Sequence, residues 1–176
     1  MNNSCTFLLV ILVLVGSLEM FNFCANPTNG FTLVPLTESN FELQKPYDIP
    51  LDQRYSFVNG LHHLWGLDYS SGVWQFEGYG FVPNGTFGAT VAQIHGAAHG
   101  ATTLILRIYD GDWFRHNIIH DVDMGMVTIF IDGVQNFQAK DKGPGDLYFK
   151  CGVYAAPTNI SYDMESRWRD IKINNH

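Results

Sequence analysis

Apolar and polar side chains alternate along much of the chain, the period of a strand rather than of a helix. The pattern is plainest from Tyr148 to Tyr154. Phe149, Cys151 and Val153 fall on one face, and Tyr148, Lys150, Gly152 and Tyr154 on the other. Phe87 to His95 repeats it, with Gln93 and His95 on one side and Ile94 on the opposite one. From Val73 to Val82, Trp74, Phe76 and Val82 share a face, with Gln75, Glu77, Tyr79 and Phe81 behind them. Further strands are expected over Thr102–Tyr109, Phe114–Val122, Met126–Ile131, Val134–Ala139 and Tyr162–Ile173, with a tight hairpin at Asp132-Gly133 and a turn at Pro83-Asn84-Gly85. Residues 26–40 read as an extended lead-in. The short pieces 41–44 and 54–58 are separated by Pro46 and Pro50, which suits a sheet edge. No window carries a capped helical period. Roughly eight to ten short strands at close spacing predict an all-β fold, a jelly-roll β-sandwich.

The length of 176 residues suits a single domain with a real core. A net charge of -7 argues against nonspecific nucleic-acid binding, so an anion would need a local cluster of cations. Residues 1–25 are expected to form a secretory signal peptide, with the domain over 26–176. Phe7–Val15 is an apolar run too short to span a bilayer, so no stable membrane span is expected after cleavage near Ala25. No Lys or Arg precedes that run. Cleavage would remove Cys5 and Cys24 and leave Cys151 alone on the apolar face, a small buried hydrophobe rather than a nucleophile. Asn84-Gly85-Thr86 and Asn159-Ile160-Ser161 are glycosylation acceptors in turn-like sequence.

Two patterns carry candidate chemistry. Tyr148, Lys150 and Tyr154 put two phenols and an ammonium on one face, with Gly152 leaving room for a ligand; the plainer reading is a strand whose polar side faces water. Gln93 and His95 pair an amide with an imidazole, a combination suited to a carboxyl group, although a surface pair would look the same. His95/His99 and His116/His120 have metal-like spacing, but they lie in strand or Gly-rich sequence without a full ligand set. No metal and no cofactor is expected. His62-His63 reads as a loop pair. Glu77 and Glu165 could be proposed as a glycosidase pair, but nothing in their spacing singles them out.

Together these stretches resemble a known family. Gln93-Ile94-His95 and Tyr148-Phe149-Lys150-Cys151-Gly152-Val153-Tyr154 are similar to two signature motifs of alginate-lyase-2-type polysaccharide lyases. The resemblance is closer to the plant branch of citrate-binding proteins. It extends through 45–50, 53–57, 71–79, Trp113-Phe114-Arg115, Ile119-His120-Asp121-Val122 and Glu165-Ser166-Arg167-Trp168. It implies a jelly roll with a concave cleft lined by Gln93, His95 and Tyr154, with Tyr148 and Lys150 as further ligand contacts. In the lyases such a site carries out β-elimination on a uronate polymer. Donors neutralise the carboxylate while a Tyr or His moves the proton. The implied partners are a small carboxylate or an acidic polysaccharide, and the implied location is the secretory pathway, ending in the cell wall or outside the cell, or in a vacuole.

The chain departs from the family in three places. An Arg-(Ser/Thr)-Glu-(Leu/Ile)-Arg strand should stand between Leu64-Trp65 and Tyr69, and only Gly66-Leu67-Asp68 is there. The stretch at Asp110-Gly111-Asp112 is also short, so one or two strands are expected to be missing. Tyr154 is followed by Ala155-Ala156 where the lyases have Asn-Gln. Losing one electrostatic donor of this kind costs ~10²–10³ in rate. Three readings follow: a binding protein for carboxylated ligands such as citrate or an acidic glycan, an active polysaccharide lyase, and an inactive truncated paralogue.

Overall fold

A computed structural model describes residues 26–43, 62–64, 66–109, 111–153 and 165–176. Eleven strands are found among them: β1 (Thr32–Val34), β2 (Phe41–Leu43), β3 (His62–Leu64), β4 (Val73–Phe81), β5 (Ala89–Ala97), β6 (Ala101–Ile108), β7 (Phe114–Asp121), β8 (Met126–Ile131), β9 (Val134–Lys140), β10 (Tyr148–Cys151) and β11 (Arg167–Asn175). They form two antiparallel sheets, a six-stranded one in the order β1-β11-β4-β7-β8-β9 and a five-stranded one in the order β2-β3-β10-β5-β6. This is the expected all-β jelly-roll sandwich.

The alternation read from the sequence sets which side chains meet between the sheets. Phe76, Ile118, Ile129 and Ile173 point inward from the larger sheet; Ile94, Leu104, Leu106 and Phe149 do so from the smaller one. Phe76 on β4 and Phe149 on β10 close the gap, with ring centroids 5.8 Å apart. Cys151 is fully buried in this layer, and burial pushes its thiol up to about 12. The Asp132-Gly133 hairpin forms as expected, with φ of 50° and 82°, the left-handed pair that matches strand twist.

Three expectations are corrected. The strand opened by Tyr148 ends at Cys151. Gly152 turns to φ 131° and donates its N–H to Val91 O, so the alternation stops at Cys151. His62-His63 is not a loop pair: both residues lie in β3, paired with β10 and β2. Residues 26–40 are more than a lead-in, since Thr32–Val34 pairs with β11 at the edge of the larger sheet. The expected strand pieces at 44 and 54–58, and the start of the last strand at 162–164, lie outside the described residues, as does the signal segment 1–25.

The outer face of the larger sheet is partly covered by that N-terminal segment. Gln75 donates to Pro27 O and accepts from the Asn174 amide. Glu77 accepts from Thr28, Asn117 and the Lys172 ammonium. Burial pulls the Glu77 carboxyl up; these three donors and the Lys172 charge outweigh it and hold the carboxyl below its usual value.

Candidate functional site

Antiparallel pairing of β10 with β5 brings the two candidate motifs together. Tyr148 stands opposite His95 and Lys150 opposite Gln93, so the four side chains share one face in two alternate rungs. Phe149 and Ile94 lie between them on the core side. The Tyr148 hydroxyl and His95 Nδ1 share a 3.1 Å hydrogen bond. Lys150 Nζ sits 5.2 Å from the Tyr148 ring centroid, within cation–π range.

A water-facing strand would leave its lysine open. Instead Lys150 is 8% exposed and Gln93 4%. His95 and Tyr148 are half-buried. Burial lowers the Lys150 pKa from its usual value. Burial raises that of Tyr148, and the charges of Asp68 and Asp146 add to the effect, so the phenol keeps its proton. The face therefore offers an ammonium, an amide and a phenol to an incoming anion, with an imidazole bonded to the phenol.

Local backbone fixes this geometry. Gly96 follows His95 at φ 93°, and a Cβ there would run into the Asp146 carbonyl; a Cβ on Gly145 would run into the Gly96 carbonyl. Only glycines allow the end of β5 and the entry to β10 to lie this close. One residue before Tyr148, Leu147 exchanges two backbone hydrogen bonds with Tyr69. The Tyr69 hydroxyl then bonds His120 Nδ1 at 3.0 Å, and His120 Nε2 bonds Asp141 at 3.1 Å. The strand carrying Tyr148 and Lys150 is thus tied to the larger sheet through buried polar groups.

Not every candidate joins this face. Tyr154 and Asn159 lie outside the described residues. Asn84 is exposed in its turn, while the Thr86 hydroxyl of the same triplet is buried and accepts from the Glu165 N–H. Glu77 is held on the outer side of the larger sheet and Glu165 pairs with Arg167, so the two do not face each other as an acid–base pair. His116 and His120 point into the core. No group of three or more His, Cys, Asp or Glu side chains is placed to hold a metal among the described residues, and none of their helices is long and apolar enough to cross a membrane. Pattern reading missed the register position of His63, opposite Lys150 on β3, and the influence of Asp68 and Asp146 on Tyr148. Both depend on which strands become neighbours.

No family model matches the chain. Among the solved structures that share its fold are two of one alginate lyase. A variant of the family 7 alginate lyase A1-II′ in complex with product matches at a TM-score of 0.51 and 13% identity, covering 67% of this chain and 72% of that one. The 1.0 Å structure of A1-II′ matches at 0.50 and 14%, covering 66% and 71%. In sequence, the chain is 47% identical to the citrate-binding protein of Hevea brasiliensis over 209 residues, taking in 96% of this chain and 87% of the relative. That alignment is longer than the 176-residue chain, so the relative carries stretches that have no counterpart here. With a lyase-type sandwich for its fold and this likeness running through nearly its whole length, the chain belongs to the citrate-binding protein family.

Proposed function

We propose that the β5–β10 face binds carboxylated ligands, citrate or an acidic glycan, without turning them over. The observation that carries this reading is the buried ammonium of Lys150 directly across from the Gln93 amide. A carboxylate seated between them would gain a charge-assisted hydrogen bond in a site shielded from water. The un-ionised Tyr148 phenol adds a donor, and His95 orients it. Tyr154 completes the set by motif position. The name of the Hevea relative supports citrate as the first ligand to test. The missing Arg-bearing strand favours binding over catalysis, because β-elimination needs the carboxylate firmly neutralised. Entry to the secretory pathway, glycans on Asn84 and Asn159, and residence in the wall or a vacuole belong to the same reading. Titrating citrate into the purified protein should give saturable heat at neutral pH. No heat from a protein with a cooperative melt would sink the proposal.

One observation favours a second reading. The Tyr148–His95 hydrogen bond is a phenol–imidazole pair able to exchange a proton, as a lyase acting on uronate polymers requires. Incubation with polymannuronate, polyguluronate and polyglucuronate should then produce ultraviolet absorbance from unsaturated uronate ends. Its absence across the panel would leave binding alone.

A further inference from the structure

The larger sheet carries a second group of side chains that the β5–β10 face does not use. The N-terminal segment covers Gln75 and Glu77 on the outer face. Toward the other end of β4, that face presents Tyr79 and Phe81. Cross-strand pairing sets Arg169 and Arg115 beside Tyr79, and Arg167 beside Phe81. Trp113, 44% exposed, packs against Phe81 with centroids 5.4 Å apart. The Arg169 guanidinium lies 4.7 Å from the Tyr79 ring and 5.0 Å from Trp113; that of Arg167 lies 5.4 Å from Phe81.

We propose that this Arg115/Arg167/Arg169–Trp113 surface is a second ligand site, one that holds a strand of carboxylated polysaccharide on the sheet opposite the β5–β10 face. Arg167 and Arg169 remain 48% and 56% exposed while their guanidinium planes are held by aromatic rings. Fixed, open guanidinium forks match the planar geometry of carboxylates. Their spacing along one strand face is about 7 Å. Trp113 offers an apolar surface for the C–H face of a sugar ring. In a chain of net charge -7, three of the five arginines gather here. Such clustering matters because charges beyond about 8 Å are screened at physiological salt, so the local group rather than the net charge meets a ligand.

The acids nearby select among polyanions. Glu165 engages Arg167 at Nε, and Asp170 stands 3.9 Å from Arg169, too far for a hydrogen bond. A polysaccharide with one carboxylate per sugar can pass between them. A single nucleic-acid strand, with a charge every ~3.4 Å, would meet them at closer intervals than a polysaccharide with one carboxylate per sugar.

The test is affinity electrophoresis of the full chain in native gels containing polygalacturonate, neutral xyloglucan or single-stranded DNA. Retardation is expected in polygalacturonate only. It should fall at least fivefold in Arg167→Ala/Arg169→Ala and in Trp113→Ala, and strengthen in Glu165→Gln. All of these positions are at the surface, and thermal melts equal to that of the parent confirm folding. Lys150→Met should lose at most the share of retardation that the β5–β10 face contributes and keep the part that the double arginine variant loses, while the double arginine variant should keep its citrate heat, so this site and the β5–β10 face fail independently. No retardation in polygalacturonate, retardation unchanged in the double variant, or equal retardation by DNA would overturn the proposal.

Discussion

Lys150 stands directly across from Gln93 in the β10–β5 register, and both side chains are more than nine-tenths removed from solvent. An ammonium in such a place is disfavoured by desolvation, which is why its pKa is lowered. A ligand carboxylate offsets that desolvation, and this sets the direction of every effect expected at the site.

Lys150→Met should weaken citrate binding roughly 10- to 100-fold at pH 7, the range expected for one charged hydrogen bond of about 1.5–3 kcal/mol. The pH dependence has a fixed sign. Only the protonated amine attracts a carboxylate, so affinity of the parent protein should fall as pH rises through the depressed Lys150 value, below the usual 10.5. Calorimetry from pH 7 to pH 10 should show that alkaline loss in the parent and a flat, weak profile in the variant. An equally steep loss in both would assign it to another group.

Gly96→Ala asks whether the close approach of β5 to the 145–147 segment holds the site. The new methyl would meet the backbone carbonyl of Asp146, which cannot step aside as a flexible side chain can, and φ 93° is itself strained for alanine. A loss of about 2–4 kcal/mol in urea denaturation is expected. Citrate affinity should fall with it, because His95 and Tyr148 flank the contact. Unchanged stability would mean that the two backbones are not packed this way.

Much of this face was legible from alternation. Gln93 and His95 had to share a side of their strand, as did Tyr148 and Lys150. That the two pairs would line one cleft was implied by the family resemblance and not by periodicity, which says nothing of strand order. Where an element is only three residues long, the pattern carries almost no signal. Thr32–Val34 therefore read as a lead-in, and His62-His63 read as a loop although they border β10. Periodicity alone also carries the strand through Gly152; the glycine ends it, at a φ that other residues avoid. The Tyr69–His120–Asp141 chain had no sequence trace, since its members are joined only once the two sheets close.

Glu77→Gln should release the N-terminal cover from the larger sheet. The Lys172 partner is half-exposed, so that ion pair contributes only about 0–1 kcal/mol. The Thr28 and Asn117 bonds to a buried carboxylate matter more, about 1.5–3 kcal/mol each before compensation. Because the folded carboxyl sits below its unfolded value, its stabilisation is present above about pH 4.5 and is lost as pH falls through the folded pKa. The variant should melt earlier at pH 7 and converge with the parent as pH falls through the lowered Glu77 value, below 4.5. Limited proteolysis at pH 7 should cut residues 26–34 sooner in the variant; equal cutting rates would count against this role.

His116 makes the strongest case for acid lability. Its ring is fully buried, stacked 5.3 Å from Phe76 and edge-on to Trp168 at 4.7 Å, and neither ring nitrogen has a hydrogen-bond partner among the described residues. Burial lowers its pKa to about 3, against a partial pull upward from Glu77. Below the usual 6.5 the unfolded chain takes up a proton that the folded chain refuses until about pH 3. Stability present above 6.5 is therefore lost on descending through that window, at up to about 1.4 kcal/mol per pH unit. A phenylalanine keeps the stacking and has nothing to protonate. His116→Phe should then match or exceed the parent at pH 7, and its urea midpoint should fall far less between pH 6.5 and pH 4. Parallel loss in parent and variant would place the acid sensitivity elsewhere, with Glu77 the first group to examine.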